Sequence, residues 1–319
     1  MKNARENWID HVKVLACILV ALGHFFQSMC TAGILNAGGF YQWFIRMIYY
    51  FHVPLFFICS GYVYQKYSKV YSFAEWRYNV LKKMISLGIP YFVFSLITWG
   101  MKHLFSGDVN SVVHGLGYDL FVHPMSPYWY LFALFFIFII TRTFDDKRTC
   151  YRTLAVAIIL KAVSEVVGIY TIKIVAANQI WFVIGMTMCV FDFTEVAKRY
   201  KLVGYFLTGL FLLLSIWDWE FLSFAMGLIA CSAVTILYAN TFGKTSALAK
   251  YTMPVFLMHT IFAAGMRVVL LKLDITLPII HIALGLGASF VGPIIAAEIM
   301  KKFKLDILYY PGKFIKINR

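Results

Sequence analysis

Three histidines stand where an imidazole is costly. His24, His52 and His259 each lie inside a long apolar run, and ionisable side chains within a membrane-length segment default to functional roles. A neutral imidazole accepts a proton near physiological pH, which suits it to general-base work on a hydroxyl. In the first run, Asp10, Lys13 and His24 share one helical stripe. At 100° per residue they fall within an arc of about 60°. His24 lies about 18 Å beyond Val12 along the helix, past the middle of an apolar layer about 30 Å thick. Lys13 stays near the mouth of the same stripe. His52 reaches about 18 Å from the end of its own run, and His259 about 12 Å, so the three rings are expected to share a polar cavity. Three imidazoles could in principle hold a metal. No carboxylate or thiolate spacing accompanies them, and no metal is expected.

Other chemistry-bearing residues flank these runs. Lys82 and Lys83 form a basic pair before the third run, either an orientation anchor or a site for the phosphates of a nucleotide-containing donor. Pro54 within the second run removes a backbone donor, and Ser60-Gly61 permits close helix approach. Trp129, Asn178 and Gln179 lie toward the opposite side from the basic pair, where they could stack on or hydrogen-bond a sugar, or serve as interface anchors and packing groups.

The elements that must position these residues are membrane helices. Of 319 residues only 14% are charged and 61% are hydrophobic, against about 25% charged in a soluble domain. Ten apolar runs are read as spans: 12–32, 41–64, 84–105, 127–141, 153–169, 174–191, 202–217, 221–238, 251–272 and 279–300. The fifth is the weakest because Lys161 and Glu165 interrupt it. All but six of the 29 basic residues (Arg46, Lys102, Lys161, Lys173, Arg267 and Lys272 being the exceptions) sit at alternate connections and the two termini. The positive-inside rule then puts both termini in the cytoplasm. The net charge of +14 is this signature, and no nucleic-acid partner is expected. Six cysteines without paired spacing read as small hydrophobes. The first run is long enough to remain as an anchor, so no cleaved signal is expected. The expected fold is an all-α integral membrane bundle of about ten helices, forming one domain over residues 1–319 with no appended soluble domain.

Five segments in order resemble the acyltransferase family 3 of membrane enzymes, in particular its sugar O-acetyltransferase branch. They are Ile9-Asp10 with Lys13 and His24, then His52-Val53-Pro54-Leu55-Phe56-Phe57 running to Ser60-Gly61-Tyr62. Lys82-Lys83 with Pro90-Tyr91 follows, then Tyr128-Trp129-Tyr130-Leu131, and finally Pro254 through Leu257-Met258-His259. The family usually has Arg where Lys13 stands, so the charge is kept and the bidentate fork is lost.

The resemblance implies acyl transfer, acetyl being the expected group, from cytoplasmic acetyl-CoA to a hydroxyl of a cell-surface or lipid-linked glycan. It implies a bacterial cytoplasmic membrane. Lys13, Lys82 and Lys83 would hold CoA phosphates, and His24 would be the general base. Asp10 would partner Lys13, while His52, Ser60 and His259 would support or polarise the cavity. An acyl-enzyme step and an oligomer are both compatible with the sequence. The competing readings are a transporter or flippase for a polysaccharide precursor, for which buried histidines and a broken helix are equally natural, and a non-catalytic scaffold.

Overall fold

A computed structural model describes residues 6–68, 70–108, 110, 112, 114–241, 246–315 and 317. Lys2, Arg5, Lys69, Lys244, Lys316 and Arg319, which contribute to the charge asymmetry, lie outside the described residues. In hydrocarbon every backbone polar group must be satisfied within the protein, and an apolar run does this by closing into a helix. Thirteen α-helices result among the described residues, with no strand. They are α1 (Asn7–Thr31), α2 (Gly39–Tyr49), α3 (His52–Tyr67), α4 (Phe73–Lys83), α5 (Ile89–Leu104), α6 (Trp129–Ile140), α7 (Lys147–Ser164), α8 (Tyr170–Val190), α9 (Phe193–Arg199), α10 (Lys201–Leu214), α11 (Ser223–Thr241), α12 (Thr252–Lys272) and α13 (Pro278–Lys302). The all-α membrane bundle is as expected.

Fewer helices than the expected ten have the length and composition of a membrane span. Among the described residues seven helical segments are long and apolar enough to cross a membrane, with α2–α3 and α4–α5 each counted as one. All ten runs are helical, but α6 and α10 have 12 and 14 residues. At 1.5 Å per residue they are about 18 and 21 Å long, short of the apolar thickness. Helix α7 has 18 residues, but Lys147, Arg148, Arg152 and Lys161 dilute its apolar character. These three still run between the same two ends as the long helices. At one end Glu6 pairs with Lys66, the Tyr64 hydroxyl donates to Thr141 O at 3.0 Å, and Asn240 Nδ2 donates to Ala197 O at 2.8 Å. At the other, Arg267 Nη1 donates to Ser28 Oγ at 2.5 Å and Arg46 pairs with Asp218 at 3.2 Å.

Helix ends follow local chemistry. Ser72 and Glu75 cap the start of α4 reciprocally. Asp146 caps α7, and the backbone N–H of Thr149 that its carboxylate accepts holds its carboxyl below the usual carboxylate range. The second run is broken between α2 and α3, where Phe51 leaves helical geometry at φ −140°. Pro54 therefore falls in the first turn of α3, where a missing N–H costs no intrahelical bond. A π-helical turn over Met84–Gly88 joins α4 to α5.

The core is built on α1, α3, α8 and α12, where Val12, Leu55, Phe57, Phe182, Val183 and Leu257 are fully buried. Helices α3 and α8 cross at backbone contact. A Cβ added at Gly61 would meet the Phe182 carbonyl oxygen at 1.9 Å, and one at Gly185 would meet the Ile58 carbonyl oxygen at 2.0 Å. Only glycine permits this approach. It fixes the height of His52 and Ser60 on α3 against Asn178 on α8.

Candidate active site

The α2–α3 break opens a cavity of about 460 Å³ whose wall includes His24, His52, Trp129 and Asn178. Helix α1 supplies His24, the turn after the break supplies His52, the start of α6 supplies Trp129, and α8 supplies Asn178. These four residues therefore come from three separate helices and the broken α2–α3 pair.

Hydrogen bonds assign the tautomer of each ring. The Tyr49 hydroxyl donates its one hydrogen to Gln27 Oε1 at 2.6 Å, so towards His24 Nδ1, 3.5 Å away, its oxygen can only accept. On that assignment His24 carries its proton on Nδ1 and presents Nε2 as an acceptor. That nitrogen faces Ser126 Oγ at 3.4 Å. His52 Nδ1 donates to Ile48 O at 2.8 Å. His259 Nδ1 donates to Val255 O and Phe256 O, both at 2.9 Å. All three imidazoles thus keep Nε2 as an acceptor. Of the three rings expected to share the cavity, His24 and His52 line it, while His259 stands behind the wall, its ring 5.4 Å from that of His24 and its buried Nε2 without a protein partner. Behind His52, the Tyr49 ring stands edge-on at 4.8 Å.

Ser60 does not line the cavity. Its hydroxyl meets that of Tyr130 at 3.1 Å, and Tyr130 is in the wall, so Ser60 reaches the cavity through one phenol. Gln179 turns away as well. Consecutive helical residues point about 100° apart, and with Asn178 in the wall, Gln179 is buried and donates from Nε2 to Thr141 Oγ1 at 3.2 Å. Towards Lys13 the cavity ends at Val20, Phe56, Tyr130 and Phe256. The last three rings pack with centroids 5.5–6.0 Å apart.

The basic end lies beyond that aromatic floor. Asp10 and Lys13 are half-buried one turn apart on α1. Lys13 and Lys82 both lie within electrostatic reach of Lys83, which is half-buried with its ammonium 3.8 Å from the centre of the Phe138 ring. Lys82 is exposed. Three cations on two helices therefore converge at the end that also holds the Glu6–Lys66 pair.

Tyr49, Gln27, Ser126, Trp181 and the cavity position of Lys161 are not evident from the sequence alone. Gln27 stands three residues from His24 on α1, a spacing that puts side chains on one helix face, whereas Tyr49 is separated from His52 by the α2–α3 break. Ser126 lies in a loop and carries no such signal.

Residues 6–298 match a family described as an acyltransferase domain. The chain belongs to acyltransferase family 3. Two curated relatives are each called a nodulation protein, NolL. The one from Mesorhizobium japonicum is 27% identical over 44% of this chain and 36% of its own length. The one from Sinorhizobium fredii is 29% identical over 44% of this chain and 37% of its own. The chain thus matches little more than a third of the length of these relatives. No solved structure matches it at a significant level. Family membership and seven helical segments long and apolar enough to span, among the described residues, make this a multi-pass membrane protein. Among the described residues there is no group of three or more His, Cys, Asp or Glu side chains fit to hold a metal.

Proposed function

We propose that this family-3 chain transfers an acyl group, acetyl as the expected one, from acyl-CoA to a hydroxyl of a cell-surface or lipid-linked glycan. The observation that carries the reading is His24: Nδ1 set against the Tyr49 hydroxyl and Nε2 against that of Ser126, on a cavity roomy enough for a sugar.

Lys13, Lys82 and Lys83 suit the phosphates of CoA, with Asp10 partnering Lys13 three residues on. The basic end would face the cytoplasm, with both termini on that side of a bacterial cytoplasmic membrane. The acyl thioester then has to pass the Phe56, Tyr130 and Phe256 floor to meet the acceptor. His24 Nε2 takes the proton of the acceptor hydroxyl as its oxygen attacks the thioester carbonyl. The carbon–sulfur bond breaks, and the imidazolium returns the proton to the departing thiolate. The products are a glycan ester and free CoA, and the imidazole is regenerated. Tyr49 fixes the His24 ring, and the second imidazole at His259 offers another acceptor beside it. Trp129 and Asn178 suit stacking on and hydrogen bonding to a sugar.

The test is mass spectrometry of surface glycans from cells with and without the intact gene. Loss of one acyl group per modified sugar in the deleted strain is expected. Glycans identical in acylation but depleted at the surface would favour a flippase.

A further inference from the structure

Among the described residues, the cavity wall contains one permanently charged side chain, Lys161, and no carboxylate. Lys161 lies near the end of α7, a helix whose other faces are largely exposed. A lysine on a cavity wall within a membrane bundle is costly without an anion to meet. Its ammonium is 2.5 Å from Glu165 Oε1, with 24% of the lysine side chain exposed against 61% of the glutamate. Glu165 does not balance the wall alone. It also lies within electrostatic reach of Lys173, so two cations share one carboxylate that stands mostly outside. The same wall carries Trp129, Trp181 and Asn178, aromatic and amide groups suited to the faces and hydroxyls of a sugar ring.

From this wall we infer that the acceptor is an anionic glycan, carrying a carboxylate or a phosphate that docks on Lys161 while its free hydroxyl reaches His24. This rests on the glycan-acceptor reading above and adds the substrate class. An ammonium already half-desolvated gains a charge-assisted bond that is stronger than a neutral one, and an anion entering the cavity replaces the exposed Glu165 as its partner. A neutral sugar leaves Lys161 with Glu165 and gains only stacking and amide contacts.

Binding is measured on the full chain in nanodiscs of neutral lipid, by calorimetry, with no acyl donor present. The probes are methyl glucuronide, glucose 1-phosphate and methyl glucoside. The expected result is at least one anionic probe binding about tenfold tighter than the neutral sugar, with a preference that shrinks as salt rises. The two anionic arms separate a carboxylate-bearing sugar from a phosphate-linked one. Lys161→Gln should bring the anionic probes down to the neutral level, and Lys161→Arg should keep most of the preference. Equal affinity for all three probes, no binding of any, or a preference that survives Lys161→Gln would overturn the inference. None of these measurements uses His24 or CoA, so a failed acyl-transfer reading and a failed anion reading are told apart.

Discussion

The His24 and His259 rings lie 5.4 Å apart, tilted by 32°, although 235 residues separate them in the chain. Helices α1 and α12 carry them to one place because both pack in the core, with Cys17 donating from Sγ to Thr252 O at 3.3 Å one to two turns below. His259 presents a buried acceptor nitrogen without a protein partner. A buried polar atom left in this way calls for a ligand or water at the site. His259→Asn should therefore lower acceptor turnover while leaving CoA binding at the basic end unchanged. Steady-state kinetics beside CoA calorimetry checks this, and loss of CoA affinity would mean a general structural defect instead.

Tyr49→Phe removes the phenol oxygen that accepts from His24 Nδ1 and the bond to Gln27. One hydrogen bond contributes about 1 kcal/mol, so a five- to tenfold fall in turnover is expected with only a small loss of thermal stability. An unaltered rate would show that the ring of His24 is held by packing alone.

The α3–α8 crossing gives a stability prediction independent of chemistry. Gly61→Ala and Gly185→Ala each drive a Cβ into a backbone carbonyl, which no side-chain rotation can relieve. Overpacking costs about 1–3 kcal/mol where neighbours can shift, and more is expected here. Gly287→Ala meets nothing within 4 Å and should be silent. Thermal unfolding in detergent compares the three. Equal stability of all three variants would contradict the crossing.

Charge removal at the basic end should act on the donor. Lys82→Ala combined with Lys83→Ala should weaken CoA binding, and the affinity of the unmodified chain should fall with ionic strength because phosphate contacts are screened. Binding of CoA that ignores salt would place its phosphates elsewhere.

Much of this arrangement was legible from the residues. The stripe of Asp10, Lys13 and His24 follows from helical geometry, and α1 carries it without interruption. His52 was read at mid-depth, and it sits at the start of α3 with Pro54 just inside. The break itself was less legible, because Pro54 signals a kink without saying that Tyr50 and Phe51 leave the helix before it. The number of span-length helices was overcounted where apolar composition continued past the helix end, as at α6, which stops at Ile140 although the run continues to Thr141 and begins in the Ser126–Tyr128 loop. Gln179 was misplaced beside Asn178, since adjacency in sequence puts helical side chains on different faces. Lys161 was read as a flaw in a weak span, and only the tertiary fold shows that it reaches the cavity wall.

The account stands or falls on His24. The measurement is glycan acylation by His24→Gln and His24→Ala, normalised to folded protein in the membrane. Glutamine keeps a hydrogen-bonding amide but takes no proton, so both variants should lose about 10²–10⁴-fold in rate while binding CoA normally. Normal acylation by His24→Gln would contradict the mechanism.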